Sequence, residues 1–281
     1  MLTASQLKEV FRIYAFRPLR RLGENYLIDA NIKDKIINEF RPEKGEVVLE
    51  IGPGLGALTI DLARSGAILY AIEKDKKAFS ILKDIIKDDF PNLKLLCSDI
   101  LEFDLRIIAS SKKLKVIGCL PFYITTPILE YLIDNRGVIE SSLIMVQKEV
   151  GDRIQALPGA TDYGPLSCFI QFYTRPIYIY TVKRDCFYPS PSVDSSLMRL
   201  EMRPEPAVEV KDETLFFRII RGAFNQRRKT ILNSLSRKAA LSIDKEKLAE
   251  ILKSVGIGPA SRPESLSLSD FAAIANAITI S

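Results

Sequence analysis

The 281-residue sequence contains no histidine and no tryptophan. Without histidine, the chain cannot build a Ser-His-Asp triad, a Cys-His pair or a histidine-ligated metal site. None of its four cysteines forms a C-x-x-C pair. Cysteines scattered in this way are typical of reduced thiols in an intracellular protein. No run of about 18 apolar residues is present, and the first residues do not resemble a signal peptide. We therefore expect a cytoplasmic protein with no membrane span and no metal.

Positive charge is distributed unevenly, although the formal net charge is only +5. Residues 215–240 include seven basic side chains and no acidic one, and residues 8–21 form a second basic segment. The rest of the chain is therefore net acidic. Two basic segments on an acidic body indicate a polyanionic partner, with solvated helix faces as the alternative interpretation.

Short apolar runs alternate with helical patterns through the first half of the chain. The runs that predict buried strands are 46–51, 67–73, 93–97, 115–120 and 142–147. Their spacing predicts βαβ units and a parallel sheet covered on both faces. Two later runs alternate as antiparallel strands would, at 176–184 and 196–202, and we expect an extended loop at 187–193.

The composition changes at the polar, proline-containing stretch 203–207, which predicts a linker. Beyond it, the patterns are helical and basic. We therefore predict an α/β domain over residues 1–203 and a small all-α domain over residues 208–281.

A glycine-rich loop, EIGPGLGA at 50–57, directly follows the first predicted strand. It satisfies both the dinucleotide fingerprint and the S-adenosylmethionine loop of Rossmann-like methyltransferases. Glu73 ends the second strand and could accept both hydroxyls of a ribose, which either cofactor carries. Asp99 follows the third strand and suits an adenine amino group, although each acid alone could cap a helix.

The fourth strand ends in Cys119-Leu120-Pro121-Phe122 at the same predicted sheet edge. Enzymes that methylate exocyclic amines commonly carry Asn-Leu-Pro-(Tyr/Phe) here. An amide oxygen and a backbone carbonyl hold the weakly nucleophilic amine, and the aromatic ring stacks on the flipped base. Methyl transfer from a sulfonium needs positioning rather than a strong base, so the absence of histidine is no obstacle.

The chain resembles the ribosomal RNA small-subunit adenine dimethyltransferase family (KsgA/Dim1) over nearly its whole length. The segments that carry the resemblance are 22–27 (LGENYL), 50–59 (EIGPGLGALT), 119–122 (CLPF), 145–150 (MVQKEV), 163–167 (YGPLS), 187–193 (FYPSPSV) and 224–235 (FNQRRKTILNSL). The resemblance implies a Rossmann-like class I methyltransferase sheet with a small all-α C-terminal domain.

The resemblance also implies the cofactor and the reaction. The cofactor would be S-adenosyl-L-methionine, held by Asn25, Leu27, Gly52, Gly54, Glu73, Asp99 and Cys119. Methyl groups would pass to N6 of two adjacent adenosines in the 3′-terminal hairpin loop of 16S rRNA. The partner would be the small ribosomal subunit or its precursor, late in assembly, and the enzyme would act as a monomer.

The resemblance assigns roles to two further sets of residues. Cys119, Leu120 and Pro121 would position the amine, and the rings of Phe122 and Phe187 would stack on the target base. The side chains expected to contact phosphates are Arg221, Arg227, Arg228 and Lys229. A purely structural role is the competing interpretation for some of these basic residues.

Two positions depart from the family pattern. Glu24 stands where the family usually has glutamine, and Cys119 stands where it has the motif's asparagine. Cysteine is a weak acceptor, so the amine would lose one of its two acceptors unless a neighbour or a water supplies it. This departure leaves open a non-catalytic RNA-binding assembly factor of the same fold. A large-subunit rRNA methyltransferase and an NAD-dependent oxidoreductase are two more competing hypotheses.

Overall fold

The structure of the protein is a computed structural model. It describes residues 2–16, 25–87, 89–109, 112–226, 229–236, 241 and 243–280. Glu24, Arg227 and Arg228, which carry predictions from the sequence, lie outside the described residues.

The described residues form short strands and helices that alternate through the first part of the chain. The strands are β1 (Tyr26–Leu27), β2 (Val47–Ile51), β3 (Ile68–Glu73), β4 (Leu93–Cys97), β5 (Leu114–Cys119), β6 (Ile139–Gln147), β7 (Thr174–Val182), β8 (Phe187–Tyr188) and β9 (Ser195–Met202). The helices are α1 (Ala4–Ile13), α2 (Ala30–Phe40), α3 (Thr59–Arg64), α4 (Lys76–Ile86), α5 (Thr125–Asp134), α6 (Lys148–Gln155), α7 (Pro165–Tyr173), α8 (Glu213–Phe224), α9 (Ile231–Leu235), α10 (Lys245–Ser254) and α11 (Leu268–Ile280).

Seven strands form one sheet in the order β4-β3-β2-β5-β6-β9-β7. The first five are parallel, and β9 runs antiparallel to β6. Every residue of β2, which lies between β3 and β5, is buried, as expected for a parallel strand covered on both faces. Because β2, β3, β4 and β5 run in the same direction, their carboxyl ends meet at one edge of the sheet.

Capping side chains determine where the helices next to this edge begin. Asp29 accepts a hydrogen bond from the Ile32 backbone N–H at 3.0 Å and starts α2. Asp75 accepts one from the Ala78 N–H at 2.6 Å and starts α4 directly after β3. Both carboxylates thus satisfy backbone donors that the first turn of a helix leaves unpaired.

The predicted strands correspond to observed ones, with two notable differences. Strand β6 begins at Ile139, three residues before the predicted start at Ser142. The segment predicted as an extended loop begins with β8, which pairs antiparallel with β1 through Leu27 and Phe187. Strands of two residues carry no alternating pattern, so the sequence could not indicate this pairing.

The chain divides into two compact units. The first comprises Met1–Gly151 and Ile177–Met202, and the second comprises Asp152–Pro176 and Arg203–Ser281. The C-terminal boundary falls at the predicted linker, but the segment 152–176, which we predicted within the first domain, groups with the C-terminal residues. None of the helices in the described part of the chain is long and apolar enough to cross a bilayer.

Candidate active site

The glycine loop turns sharply between β2 and α3. Gly54 has a φ of +55° and Gly56 a φ of +83°, in the left-handed region that favours glycine. A Cβ atom on Gly56 would lie 2.6 Å from Cδ1 of Leu82, and one on Gly54 would lie 3.0 Å from Cε1 of Tyr26. The loop therefore needs glycine both for its turn and for its close packing.

Glu73, at the end of β3, holds this loop through its side chain. One carboxylate oxygen accepts a hydrogen bond from the Gly54 N–H at 3.0 Å, and the other accepts one from the Asp75 N–H at 2.8 Å. The side chain is nearly buried, with 9% of the residue exposed. Glu73 thus links the glycine loop to the start of α4.

Asp99 lies beyond the end of β4 and is held from two sides. Its Oδ1 accepts a hydrogen bond from the Leu101 N–H at 3.0 Å, and its Oδ2 lies 2.6 Å from Nζ of Lys74. Desolvation favours the neutral acid, but the hydrogen bonds from Lys74 and Leu101 outweigh it and lower the pKa of Asp99. Asp99 is therefore a fixed, ionised acceptor at neutral pH.

A cavity of about 350 Å³ opens at this edge of the sheet. All seven residues that were predicted to bind the cofactor line it: Asn25, Leu27, Gly52, Gly54, Glu73, Asp99 and Cys119. The parallel strands explain this convergence, because they bring side chains distant in sequence to a common edge.

The end of β5 forms one wall of the cavity. Cys119 and Pro121 line it, whereas Leu120 is only 2% exposed and does not contribute to the lining. The Leu120 N–H donates to the Met145 carbonyl at 2.9 Å, and the Thr125 hydroxyl donates to the Pro121 carbonyl at 3.0 Å. These bonds fix the backbone of the predicted catalytic segment.

The two aromatic residues predicted to stack on the base lie outside the cavity lining. Phe122 is half-buried and begins the 3-10 helix Phe122–Ile124. Phe187 is only 6% exposed, because its ring packs in the core cluster that also contains Leu27 and contacts Cys119. Phe187 is therefore too buried to offer a base much of its ring, whereas the half-buried Phe122 is more accessible.

Two ionisable groups lie close together beside the glycine loop. Glu50, the last but one residue of the buried strand β2, is 3% exposed and lines the cavity. Its Oε2 has no hydrogen-bond partner among the described residues. Burial, together with the charge of Glu73, raises the pKa of Glu50 to about 8. Burial, together with the charge of Glu50, raises the pKa of the Cys119 thiol to about 12. Cys119 is therefore a neutral thiol at physiological pH.

The second unit carries the predicted phosphate contacts that lie within the described residues. Arg221 is exposed on α8, one turn after the exposed Arg218, and Lys229 is exposed before α9. Arg227 and Arg228 belong to the same predicted set but lie outside the described residues.

Residues 16–279 match the sequence profile of a family described as ribosomal RNA adenine dimethylase. The chain belongs to this family. Its cofactor is therefore S-adenosyl-L-methionine, and it is an adenine dimethyltransferase. The hypothesis of an NAD-dependent oxidoreductase is thereby excluded.

Individual relatives agree with the family assignment over nearly the whole chain. Ribosomal RNA small subunit methyltransferase A of Moorella thermoacetica is 43% identical over 270 residues, covering 93% of this chain and 92% of the relative. The protein of the same name in Bacillus mycoides is 40% identical, and the match covers 99% of this chain and 97% of the relative.

Solved structures confirm the predicted fold class. A dimethyladenosine transferase from Plasmodium falciparum superimposes with a TM-score of 0.76, at 23% identity, covering 89% of this chain and 95% of that one. The 23S rRNA methyltransferase ErmE superimposes with a TM-score of 0.68, at 22% identity, covering 91% of this chain and 100% of that one. At such low identity, these similarities support the Rossmann-like methyltransferase fold and nothing more specific.

The residues of the cavity fit the family's cofactor. S-adenosylmethionine carries a positive sulfonium and an ammonium, and Oε2 of Glu50 is a buried acceptor without a hydrogen-bond partner among the described residues. With a pKa of about 8, Glu50 is mostly protonated at neutral pH, and a cation bound beside it would favour its ionised form. The sugar and the adenine need acceptors, which Glu73 and Asp99 supply on the same cavity.

Several residues of the cavity lining were not predicted from the sequence. They are Glu50, Lys74, Tyr123, and also Leu2 and Leu7 from the N-terminal segment. An acidic first position in the glycine-loop template was the available signal for Glu50. The rest reach the cavity through loop and helix packing, which no spacing in the sequence indicates.

Proposed function

We propose that this dimethyltransferase methylates N6 of two adjacent adenosines in the 3′-terminal hairpin loop of 16S rRNA. The substrate is the small ribosomal subunit or its precursor, late in assembly, and four methyl transfers give two dimethyladenosines. Relatives that are 40–43% identical over nearly the whole chain are named for the small subunit, which favours this substrate over the large subunit.

One observation carries the proposal: the predicted catalytic segment and the predicted cofactor residues share a single cavity. Cys119 and Pro121, from the catalytic segment, line the same space as Glu73 and Asp99. A methyl donor and an amine acceptor must meet within van der Waals distance for an in-line displacement. The shared cavity supports this requirement.

The cofactor is held by acceptors along the carboxyl edge of the sheet. Glu73 binds the ribose hydroxyls, Asp99 binds the adenine amino group, and Glu50 faces the positively charged end. When bound, S-adenosylmethionine supplies a methyl group on a sulfonium, with a neutral thioether as leaving group. Two further predicted contacts, Asn25 and Leu27, line the cavity from the N-terminal part of the chain.

The target amine is positioned by the backbone at the end of β5. The Leu120 carbonyl accepts one amine N–H, and Pro121 stiffens the carbonyl's orientation. Cys119 occupies the position of the second acceptor, but a neutral thiol accepts weakly. Phe122 stacks on the extruded base, while the ring of Phe187 is buried in the core cluster against which Cys119 packs.

The rRNA backbone is bound by basic side chains of the second unit, namely Arg221, Lys229 and, outside the described residues, Arg227 and Arg228. Replacing Arg221 and Lys229 together with alanine should weaken binding to small subunits. The slope of log Kd against log salt concentration should fall by about two, because each phosphate contact contributes about one. Filter binding over a salt series measures both quantities.

A matched control keeps the same change of charge. Lys211 and Lys253 are also exposed bases of the second unit but lie outside the basic segment 215–240. Their double alanine variant should retain the wild-type slope. An unchanged slope in the Arg221 and Lys229 variant would refute the phosphate-contact assignment.

A second candidate function is a non-catalytic assembly factor that binds the small subunit. Cys119 favours it, because the residue removes a strong acceptor from the amine site. Such a factor would retain cofactor and subunit binding but transfer no methyl group.

Under either function, the protein would act in the cytoplasm as a monomer and would need no metal.

Transfer of labelled methyl groups tests the choice of substrate. We expect label from S-adenosylmethionine to enter small subunits that lack the modification, and not large subunits or fully modified small subunits. Label in large subunits alone would refute the small-subunit assignment. Binding of small subunits with no incorporation of label would support the assembly factor.

A further inference from the structure

Lys74 brings a positive charge to the adenine-binding end of the cavity. The residue directly follows Glu73, and its side chain is 60% exposed. Its Nζ lies 2.6 Å from Oδ2 of Asp99, and both residues line the cavity. The ion pair thus links the segments that follow β3 and β4, next to the predicted nucleoside contacts Glu73 and Asp99.

The second oxygen of Asp99 is also engaged. The Leu101 N–H donates to Oδ1 at 3.0 Å, so the two bonds together determine the plane and the rotation of the carboxylate. A carboxylate has about four acceptor sites, so a carboxylate holding these two bonds can still accept from an adenine amino group. Removing Lys74 would leave the bond from Leu101 to hold the carboxylate and would allow it to rotate.

We propose that Lys74 is a positioning residue for the cofactor: its ammonium holds the Asp99 carboxylate in the orientation that accepts the adenine amino group. This inference rests on the role proposed above for Asp99. Lys74 itself lines the cavity, so its methylene groups can add apolar surface to the adenine site while the charged end reaches Asp99.

A similar ion pair elsewhere in the same unit provides the matched control. Lys183 lies 2.9 Å from Asp194 with its side chain 72% exposed, close to the values for Lys74, but neither residue lines the cavity. Exposed pairs of this kind contribute little to stability. A difference between the two lysines in cofactor binding would therefore come from the position of Lys74 and not from the loss of an ion pair as such.

The test compares two ligands and three variants of the full-length protein. The ligands are S-adenosylhomocysteine and its analogue with hydrogen in place of the adenine amino group. Lys74→Met should raise the Kd for S-adenosylhomocysteine by about threefold to tenfold, as expected for one oriented, charge-assisted hydrogen bond. It should leave the Kd for the analogue within about twofold of wild type, because that ligand has no amino group to position.

The remaining two variants separate positioning from structure. Lys74→Arg should restore most of the affinity for S-adenosylhomocysteine, because it returns a cation that can reach Asp99. Lys183→Met should change neither Kd. Titration calorimetry measures the affinities, and thermal melting followed by circular dichroism verifies that each variant is folded.

Two results would overturn the inference. One is an unchanged Kd for S-adenosylhomocysteine in Lys74→Met, and the second is an equal loss of affinity for both ligands. If Lys74→Met fails to fold, Lys74→Gln is measured with the same ligands and the same criteria. Failure of the wild-type protein to bind S-adenosylhomocysteine would instead refute the proposed cofactor site.

Discussion

Replacing Cys119 with asparagine is expected to raise kcat for methyl transfer by about 10²-fold to 10³-fold. The amine of the target adenosine needs two acceptors to hold its hydrogens in the reactive geometry. The Leu120 carbonyl is one, and an asparagine amide would restore the other. An acceptor of this kind contributes about 2.7–4 kcal/mol of transition-state stabilisation.

The environment of Cys119 explains why its thiol cannot replace the amide oxygen as the second acceptor. Burial and the neighbouring Glu50 raise its pKa to about 12, so the sulfur stays protonated and accepts hydrogen bonds weakly. Because the residue lines the cavity, an amide at this position would face the reacting groups. Single-turnover methylation of small subunits at saturating cofactor measures the effect on the chemical step.

Cys97 provides the control for this substitution. It is an exposed cysteine at the end of β4 and does not line the cavity, so Cys97→Asn should leave kcat unchanged. A kcat for Cys119→Asn that equals the wild-type value would mean that another group already supplies the second acceptor. A lower kcat would mean that the site has adapted to the thiol.

Replacing Glu73 with glutamine is expected to raise the Kd for S-adenosylhomocysteine by about 10²-fold or more. The carboxylate accepts from the N–H groups of Gly54 and Asp75 on its two oxygens. Glutamine offers only one oxygen, so its amide NH₂ would face one of these donors. Hydrogen bonds to charged groups contribute about 1.5–3 kcal/mol each, and both the loop and the ribose depend on this carboxylate.

The measurement is titration calorimetry with S-adenosylhomocysteine, with Glu39→Gln as the control. Glu39 is about one-third exposed and lies 2.6 Å from Arg199, outside the cavity lining, so its substitution removes a comparable carboxylate without touching the site. A Kd for Glu73→Gln within about threefold of wild type would contradict the role of Glu73 in holding the ribose.

The sheet could be predicted from the sequence because its parallel strands are short, buried and apolar. Strands β2, β3, β4 and β5 begin and end within one residue of the predicted runs. Once those strands are parallel, Glu73, Asp99 and Cys119 must converge on one edge. The candidate cofactor site therefore followed from the order of the strands and not from any single motif.

Three further features depend on packing that the sequence does not display. The ion pair of Lys74 with Asp99 joins residues 25 positions apart, and its formation depends on the geometry of two loops. Leu7 reaches the cavity from α1 because that helix packs in an apolar cluster with Tyr26 and Leu55. The burial of Phe187 follows from the two-residue pairing of β8 with β1, which leaves no periodic signal.

The nucleoside composition of the rRNA after reaction tests the central claim most directly. Small subunits that lack the modification are incubated with the wild-type protein and S-adenosylmethionine, and the digested rRNA is analysed by mass spectrometry. We predict N6,N6-dimethyladenosine at two adjacent positions of the 3′-terminal hairpin loop. Tight subunit binding with no methylated adenosine would contradict the claim that the wild-type protein is an active methyltransferase. If Cys119→Asn then restored methylation, the wild-type protein would be established as a non-catalytic assembly factor.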